Sequence, residues 1–287
     1  MYGYQRDAYL ESLATRVTGL GEAEGRTYAL LEDTVFYPEG GGQPSDHGIL
    51  GPARVTAVEH GPDGIRHFVD DASGLTEGRE LTARVDWERR FDHMQQHTAQ
   101  HLLTALAQDR FGWPTTAFHL GEQVSDIELD VPPLGEEALQ RLEDAAATEI
   151  RAARPVRPRE VDPSEIPQLP VRTRGLPDPP PPQVRLVEIE GIDLNTCGGT
   201  HLRSTAEIEA VKLIGTEPMR GGTRVYFVAG RRLARRLAAH ESRNAALRDL
   251  LGAADADLPD VVAGKLEQLK DALRASEATY GKITPMS

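Results

Sequence analysis

The chain has 287 residues, 39% of them apolar and 27% charged, with a formal charge of -13. That length suits about two domains with ample cores. No apolar run approaches the roughly 18 residues of a membrane helix, and the acidic balance disfavours non-specific binding to phosphate backbones.

Residues 1–88 read as mostly β. Runs at Ala14–Val17, Thr27–Leu31, Thr34–Tyr37, Ala53–Val58, Ile65–Val69 and Leu81–Val85 alternate with turn clusters such as Gly19–Gly25 and Gly61–Gly64. Short strands at that spacing predict a small barrel-like domain. A short helix is expected over Arg6–Leu13, and the opening residues carry no secretory signal pattern.

The pattern changes near Asp86. Helices are predicted at Arg89–Phe111 and at Glu136–Arg151, where Leu139, Leu142, Ala146 and Ile150 share one side. Pro155–Pro182 holds ten prolines and reads as an extended connection. Strands are expected at Val184–Ile189, Glu207–Ile214 and Thr223–Val228. These elements make a second region, residues 89–230.

From Arg231 the chain reads as helical. Leu233, Leu237, His240, Asn244, Leu247 and Leu251 form one stripe, and Val262, Leu266, Leu269 and Leu273 form another after a break at Gly252–Pro259. Residues 231–287 are expected to be a helical hairpin or coiled coil. Its seam, weakened by His240 and Asn244, could pair with a second copy as a homodimer. Eight arginines and one glutamate lie between Arg220 and Arg248. They read as a solvated helix face or as a local nucleic-acid contact. The expected class is α+β: a barrel-like domain, an α+β domain and the helical hairpin.

Two motifs carry chemistry. His97-x-x-x-His101 puts two imidazoles on one helix face. Nine histidines give roughly 0.3 such pairs by chance, so alone it is weak. Cys197-Gly-Gly-Thr-His201 joins the single cysteine to a histidine through a tight turn. A lone cysteine excludes an intrachain disulfide and points to a reducing, cytoplasmic setting. Three nitrogens and one sulfur suit zinc, with His97, His101, Cys197 and His201 as ligands. Four protein ligands usually mark a structural zinc, so the set alone does not prove hydrolysis. Gly40, Gly41 and Gly42, closed by Gln43, permit close backbone approach to a phosphate or ribose, or form a long turn. No P-loop, HEXXH or deaminase signature is present.

TVFYPEGGGQPSDHG at 34–48, VDWERRFDHMQQHTAQHLL at 85–103, FHLGE at 118–122 and CGGTHLRSTAEI at 197–208 resemble the editing domain of alanyl-tRNA synthetase. They resemble still more its freestanding relatives, the alanyl-tRNA editing proteins called AlaX. The resemblance runs over about residues 5–230 and carries the family's zinc ligands onto the same four residues. It implies zinc-dependent hydrolysis of serine, and often glycine, wrongly attached to tRNA(Ala). Thr34 falls where the family's serine-sensing threonine is expected, and Gln43 closes the Gly-rich loop as a catalytic and substrate-binding residue. The C-terminal tRNA-binding domain of the longest family class is expected to be absent. Asp92 and His93 beside the metal helix read as water-orienting groups or, for Asp92, as an exposed carboxylate. Two other readings stay open: transfer of the aminoacyl group to a small acceptor, and an aminoacyl-tRNA-binding module without turnover.

Overall fold

The computed structural model describes residues 1–173 and 175–283. The chain divides into two compact units, Met1–Leu233 and Ala234–Ser287. The class is α+β.

Six antiparallel strands open the first unit: β1 (Ser12–Ala23), β2 (Arg26–Leu31), β3 (Gly48–Leu50), β4 (Ala53–Gly61), β5 (Gly64–Val69) and β6 (Glu80–Val85). They close as a barrel in the order β1-β2-β5-β4-β3-β6. Ala29, Leu50, Val55, Val58, Ile65, Ala83 and Val85 fill its interior. The turn between β1 and β2 is the two-residue Glu24-Gly25, with φ of 53° and 71°. Positive φ at both positions matches the twist of a tight hairpin. The turn expected over Gly19–Gly25 is therefore mostly strand. Gly21 is needed within it, because a Cβ there would lie 2.5 Å from the Tyr28 hydroxyl across the ladder.

Two further expectations in this region are corrected. The helix expected at Arg6–Leu13 is α1 (Gly3–Arg6), and Asp7 already leaves it in an extended conformation. Thr34–Tyr37 is not a strand but an irregular buried segment. Its amides bond side chains in place of a neighbouring strand. Thr34 N–H donates to Asp33 Oδ1 (2.7 Å), Phe36 N–H to Thr34 Oγ1 (3.0 Å) and Tyr37 N–H to Asp46 Oδ2 (2.6 Å). Burial of four successive side chains imitates the sequence of a buried strand.

The remainder of the first unit is built on α2 (Trp87–Phe111). Asp86 caps its start by accepting from Arg89 N–H, and Gly112 ends it at φ 68°. Around it lie α3 (Glu136–Arg151) and two antiparallel sheets. One contains β7 (Thr115–Leu120), β8 (Ser125–Leu129), β12 (Val211–Met219) and β13 (Gly222–Ala229) in the order β12-β13-β8-β7. The other contains β9 (Val156–Val161), β10 (Val184–Ile189) and β11 (Asp193–Thr196) in the order β11-β10-β9. Met94, Leu102, Leu103 and Leu106 of α2 share a core with Leu142 and Ala146 of α3, Ile127 and Leu129 of β8, Val187 and Ile189 of β10, and Val225 and Phe227 of β13. β9 lies inside the stretch expected to be only an extended connection. The strand expected at Glu207–Ile214 is a 3₁₀ turn at Thr205–Ile208, capped by Ser204, followed by β12.

Buried polar side chains of α2 fasten it to its surroundings. Arg90 is fully buried and pairs with the fully buried Asp46. It also donates to Ala8 O (2.8 Å) and Val35 O (2.7 Å), tying the barrel to the helix. The Gln96 amide exchanges two 3.0 Å hydrogen bonds with the Ala229 backbone, extending β13 as a strand partner would.

The last helices are α4 (Arg231–Leu251) and α5 (Leu258–Ile283), joined through a 3₁₀ turn at Asp255–Asp257. The expected leucine seam is not closed within the second unit. Leu237 is 68% exposed, and Leu266, Leu269 and Leu273 are more than half exposed. No helix among the described residues is long and apolar enough to cross a membrane.

Candidate metal centre

The structure brings His97, His101, Cys197 and His201 together, with one ligand atom of each within 4.8 Å of all the others. Two come from α2 and two from the loop after β11. Cys197 Sγ lies 3.5 Å from His97 Nε2 and 3.2 Å from His201 Nε2. A tetrahedral zinc with ordinary bond lengths asks for N···S separations of about 3.6 Å.

Each imidazole has its other nitrogen held. His97 Nδ1 is 2.8 Å from Gln43 Oε1, His101 Nδ1 is 3.0 Å from Asp193 Oδ2, and His201 Nδ1 is 3.2 Å from Thr98 Oγ1. Such partners fix the tautomer and the ring angle of metal-binding histidines. The residues present therefore fit a zinc ion in donor type, spacing and outer support.

The electrostatics favour the same chemistry. Burial opposes ionisation of Cys197, but the neighbouring His97 and His201 outweigh it and hold the thiol well below its usual range. Burial, reinforced by His97, drives His201 well below the usual imidazole range. Burial also disfavours charge on His101, yet Asp193 and Cys197 push it up to about 10. That proton must leave when a metal binds.

The Cys197 loop is shaped by its neighbours. Arg185 of β10 donates to Cys197 O (2.7 Å) and Gly199 O (2.9 Å), and Gly199 N–H approaches Cys197 Sγ at 3.4 Å. A Cβ at Gly199 would lie 2.3 Å from His97 Cε1, whereas one at Gly198 would meet nothing within 4 Å. The second glycine is thus required by the site and the first is not.

The other Gly-rich segment is a tight turn. Gly40 and Gln43 pair backbone to backbone, and Gly41 and Gly42 sit at φ 55° and 80°. Gln43 is fully buried. Its Oε1 accepts from Thr200 N–H (3.1 Å) and its Nε2 donates to Thr200 Oγ1 (2.8 Å), so it clamps the Cys197 loop to His97.

A cleft of about 690 Å³ adjoins the cluster, lined by Gly41, Gly42, His97, His101 and Cys197 together with Gln100, Thr115, Phe118 and Arg172 among others. Thr34 and Gln43 are not among the lining residues. Thr34 is buried in the barrel, with its Oγ1 2.8 Å from His67 Nε2. His67 Nδ1 donates to Ala29 O, and burial lowers this ring to about 4, so its Nε2 accepts the Thr34 proton. Asp92 is neither exposed nor in the cleft: Arg232 binds it through Nε and Nη2. His93 is buried outside the cleft lining, with Nδ1 unpartnered.

Two cleft residues escape the motif-based reading. Thr115 Oγ1 and Gln100 Oε1 are buried oxygens without a hydrogen-bond partner. Gln100 sits beside His101, inside the His-x-x-x-His motif, and was legible only as a spacer. Thr115 opens β7, a strand with no clear sequence pattern. Both residues line the cleft, although these two oxygens have almost no accessible surface of their own.

Residues 184–226 match the family model described as the threonyl and alanyl tRNA synthetase second additional domain. The alanyl-tRNA editing protein Aarsd1 of Danio rerio is 42% identical over 243 residues, covering 80% of this chain and 58% of the relative. Aarsd1 of Mus musculus is 39% identical over 263 residues, covering 86% of this chain and 63% of the relative. An alanine–tRNA ligase of Ignicoccus hospitalis is 32% identical over 294 residues, covering 97% of this chain and 31% of the ligase. The chain spans about three-fifths of the length of the editing proteins it matches.

Proposed function

We propose that the chain, which is similar to alanyl-tRNA editing proteins and to part of alanine–tRNA ligases, is a trans-acting deacylase. Its substrate is tRNA(Ala) wrongly charged with serine, and also with glycine. The observation that carries this is the convergence of three imidazoles and a thiol beside a polar cleft.

His97, His101, Cys197 and His201 would hold the zinc. Bound there, zinc would supply Lewis-acid polarisation at the aminoacyl end, which with four protein ligands requires an expanded shell or the exchange of one ligand. Gln43, Asp193 and Thr98 keep the three rings aimed. Gly41 and Gly42 form a close-fitting wall for the aminoacylated ribose. Water adds to the ester carbonyl, the ribose oxygen leaves and takes the proton, and a free amino acid and uncharged tRNA result. An ester to ribose is already reactive, so positioning supplies much of the acceleration.

Selectivity in this reading rests on Thr115, a cleft-lining residue whose hydroxyl has no partner within the protein. A synthetase pocket built for alanine rejects one added hydroxyl poorly. Thr115 lines the cleft, and a turn of its side chain about χ1 presents Oγ1 to the serine hydroxyl. The alanine methyl leaves that buried hydroxyl unpaired, at about 1–3 kcal/mol. Glycine leaves room for a water that can make the same bond. Thr115 takes the serine-sensing role in this reading. Thr34, committed to His67 and Phe36, acts instead by fixing the segment that delivers the glycine turn.

The test is deacylation of seryl-, glycyl- and alanyl-tRNA(Ala) by the zinc-loaded chain and by Thr115→Val. The wild type is expected to release serine and glycine and spare alanine, and the variant to lose serine far more than glycine. Retention of all three esters, with zinc and tRNA bound, would reject the hydrolase in favour of a transferase or a binding module.

A further inference from the structure

Part of the cleft is built from the proline-rich connection between β9 and β10. Val171, Arg172, Thr173 and Gly175 all line it. This strap is docked on β11 through its backbone: Arg172 N–H donates to Leu194 O (2.8 Å), and Thr196 N–H donates to Arg172 O (3.2 Å). The Arg172 guanidinium then reaches two carboxylates. Nη1 donates to Asp193 Oδ1 (2.6 Å) and Nη2 to Asp109 Oδ2 (2.5 Å). The other oxygen of Asp193 holds His101 Nδ1 at 3.0 Å. The Asp193 side chain is 1% exposed. A carboxylate buried that deeply is stable only with its partners in place.

We propose that Arg172 and Asp193 are a positioning pair that joins the cleft wall to the metal ligand His101, so that the substrate surface and the metal site are set as one unit. The pair deepens the proposed function, since it acts on the same site. Asp193 aims the ring, and Arg172 both neutralises Asp193 and fixes the strap. Removing Asp193 frees the His101 ring to turn. Removing Arg172 disturbs the ring and the wall together.

The full chain carrying Asp193→Ala, Asp193→Asn or Arg172→Met is titrated with zinc against a chromophoric chelator. Its cobalt(II) absorption spectrum and the thermal unfolding of the metal-free protein are recorded beside it. Asp193→Ala is expected to weaken zinc binding by about 10–100-fold and to alter the cobalt bands. Asp193→Asn, which keeps an acceptor oxygen, is expected to recover part of the loss. Arg172→Met is expected to weaken zinc binding and also to raise KM for seryl-tRNA(Ala), with the smaller effect in kcat. Wild-type zinc affinity and unchanged cobalt spectra in all three would overturn the proposal, even if unfolding moved to lower temperature, because the pair would then only brace the strap. The metal titration needs no turnover. A zinc-binding chain that hydrolyses no aminoacyl-tRNA would defeat the proposed function and leave the pair's effect on His101 measurable.

Discussion

Gln43 is the residue whose loss has the most calculable consequence. It is fully buried, far in sequence from the residues it binds, and makes three hydrogen bonds. A backbone N–H can only donate, so the contact from Thr200 N–H fixes Oε1 as the acceptor oxygen. His97 Nδ1 must then carry the proton that meets Oε1, which leaves Nε2 free to bind metal. Gln43→Ala strands two buried donors, Thr200 N–H and His97 Nδ1–H. At about 1–3 kcal/mol each, the expected destabilisation is about 2–6 kcal/mol. Loss of the ring's partner is expected to weaken zinc binding by about 10–100-fold. Gln43→Glu keeps an acceptor for both donors, and the Thr200 hydroxyl can turn to donate to the second oxygen. This variant is expected to hold zinc within a few-fold of wild type. Urea unfolding of the metal-free chain and chelator competition measure the two effects separately. If Gln43→Ala matched wild type within about 0.5 kcal/mol and in zinc affinity, the clamp would have no energetic role.

Two further outcomes are expected. His67 is buried neutral, lowered to about 4 from 6.5, so its contribution to stability is complete above pH 6.5 and is lost as the pH falls toward 4, where the unfolded chain alone takes up the proton. That amounts to about 2 kcal/mol between pH 7.5 and pH 5; urea titrations at both values should show His67→Gln losing less than wild type, and equal losses would refute it. Gly199→Ala should abolish zinc binding, because its Cβ would sit 2.3 Å from His97 Cε1, while Gly198→Ala, with nothing within 4 Å, should bind normally; metal analysis of the two purified variants decides, and equal zinc content would contradict the packing argument.

The cluster was legible in sequence because its ligands come as two local pairs. One i,i+4 pair lies on a helix, and the other spans a glycine turn beside the single cysteine. The α+β class was legible from the change in periodicity at Asp86. The partners of the imidazoles were not. Asp193, Thr98 and Gln43 lie on three separate segments, and only the fold makes them neighbours. Thr34–Tyr37 misleads because buried irregular backbone, once its amides are bonded by Thr34, Asp33 and Asp46 side chains, has the same apolar signature as a strand. Thr34 is buried inside the barrel. Its hydroxyl is consumed by His67, while the cleft-lining threonine with an unpaired hydroxyl is Thr115. Gln95, Gln96 and Arg90 blur the face of α2, since they are buried yet polar, each satisfied by backbone or by Asp46.

Metal-dependent hydrolysis of the seryl ester tests the four-ligand site most directly. The chain is stripped of metal with a chelator, then assayed on seryl-tRNA(Ala) before and after one equivalent of zinc, with Cys197→Ala alongside. Release of serine that vanishes with the metal, returns with zinc and never returns in Cys197→Ala is the predicted result. Full activity in the stripped chain, or in Cys197→Ala, would contradict it.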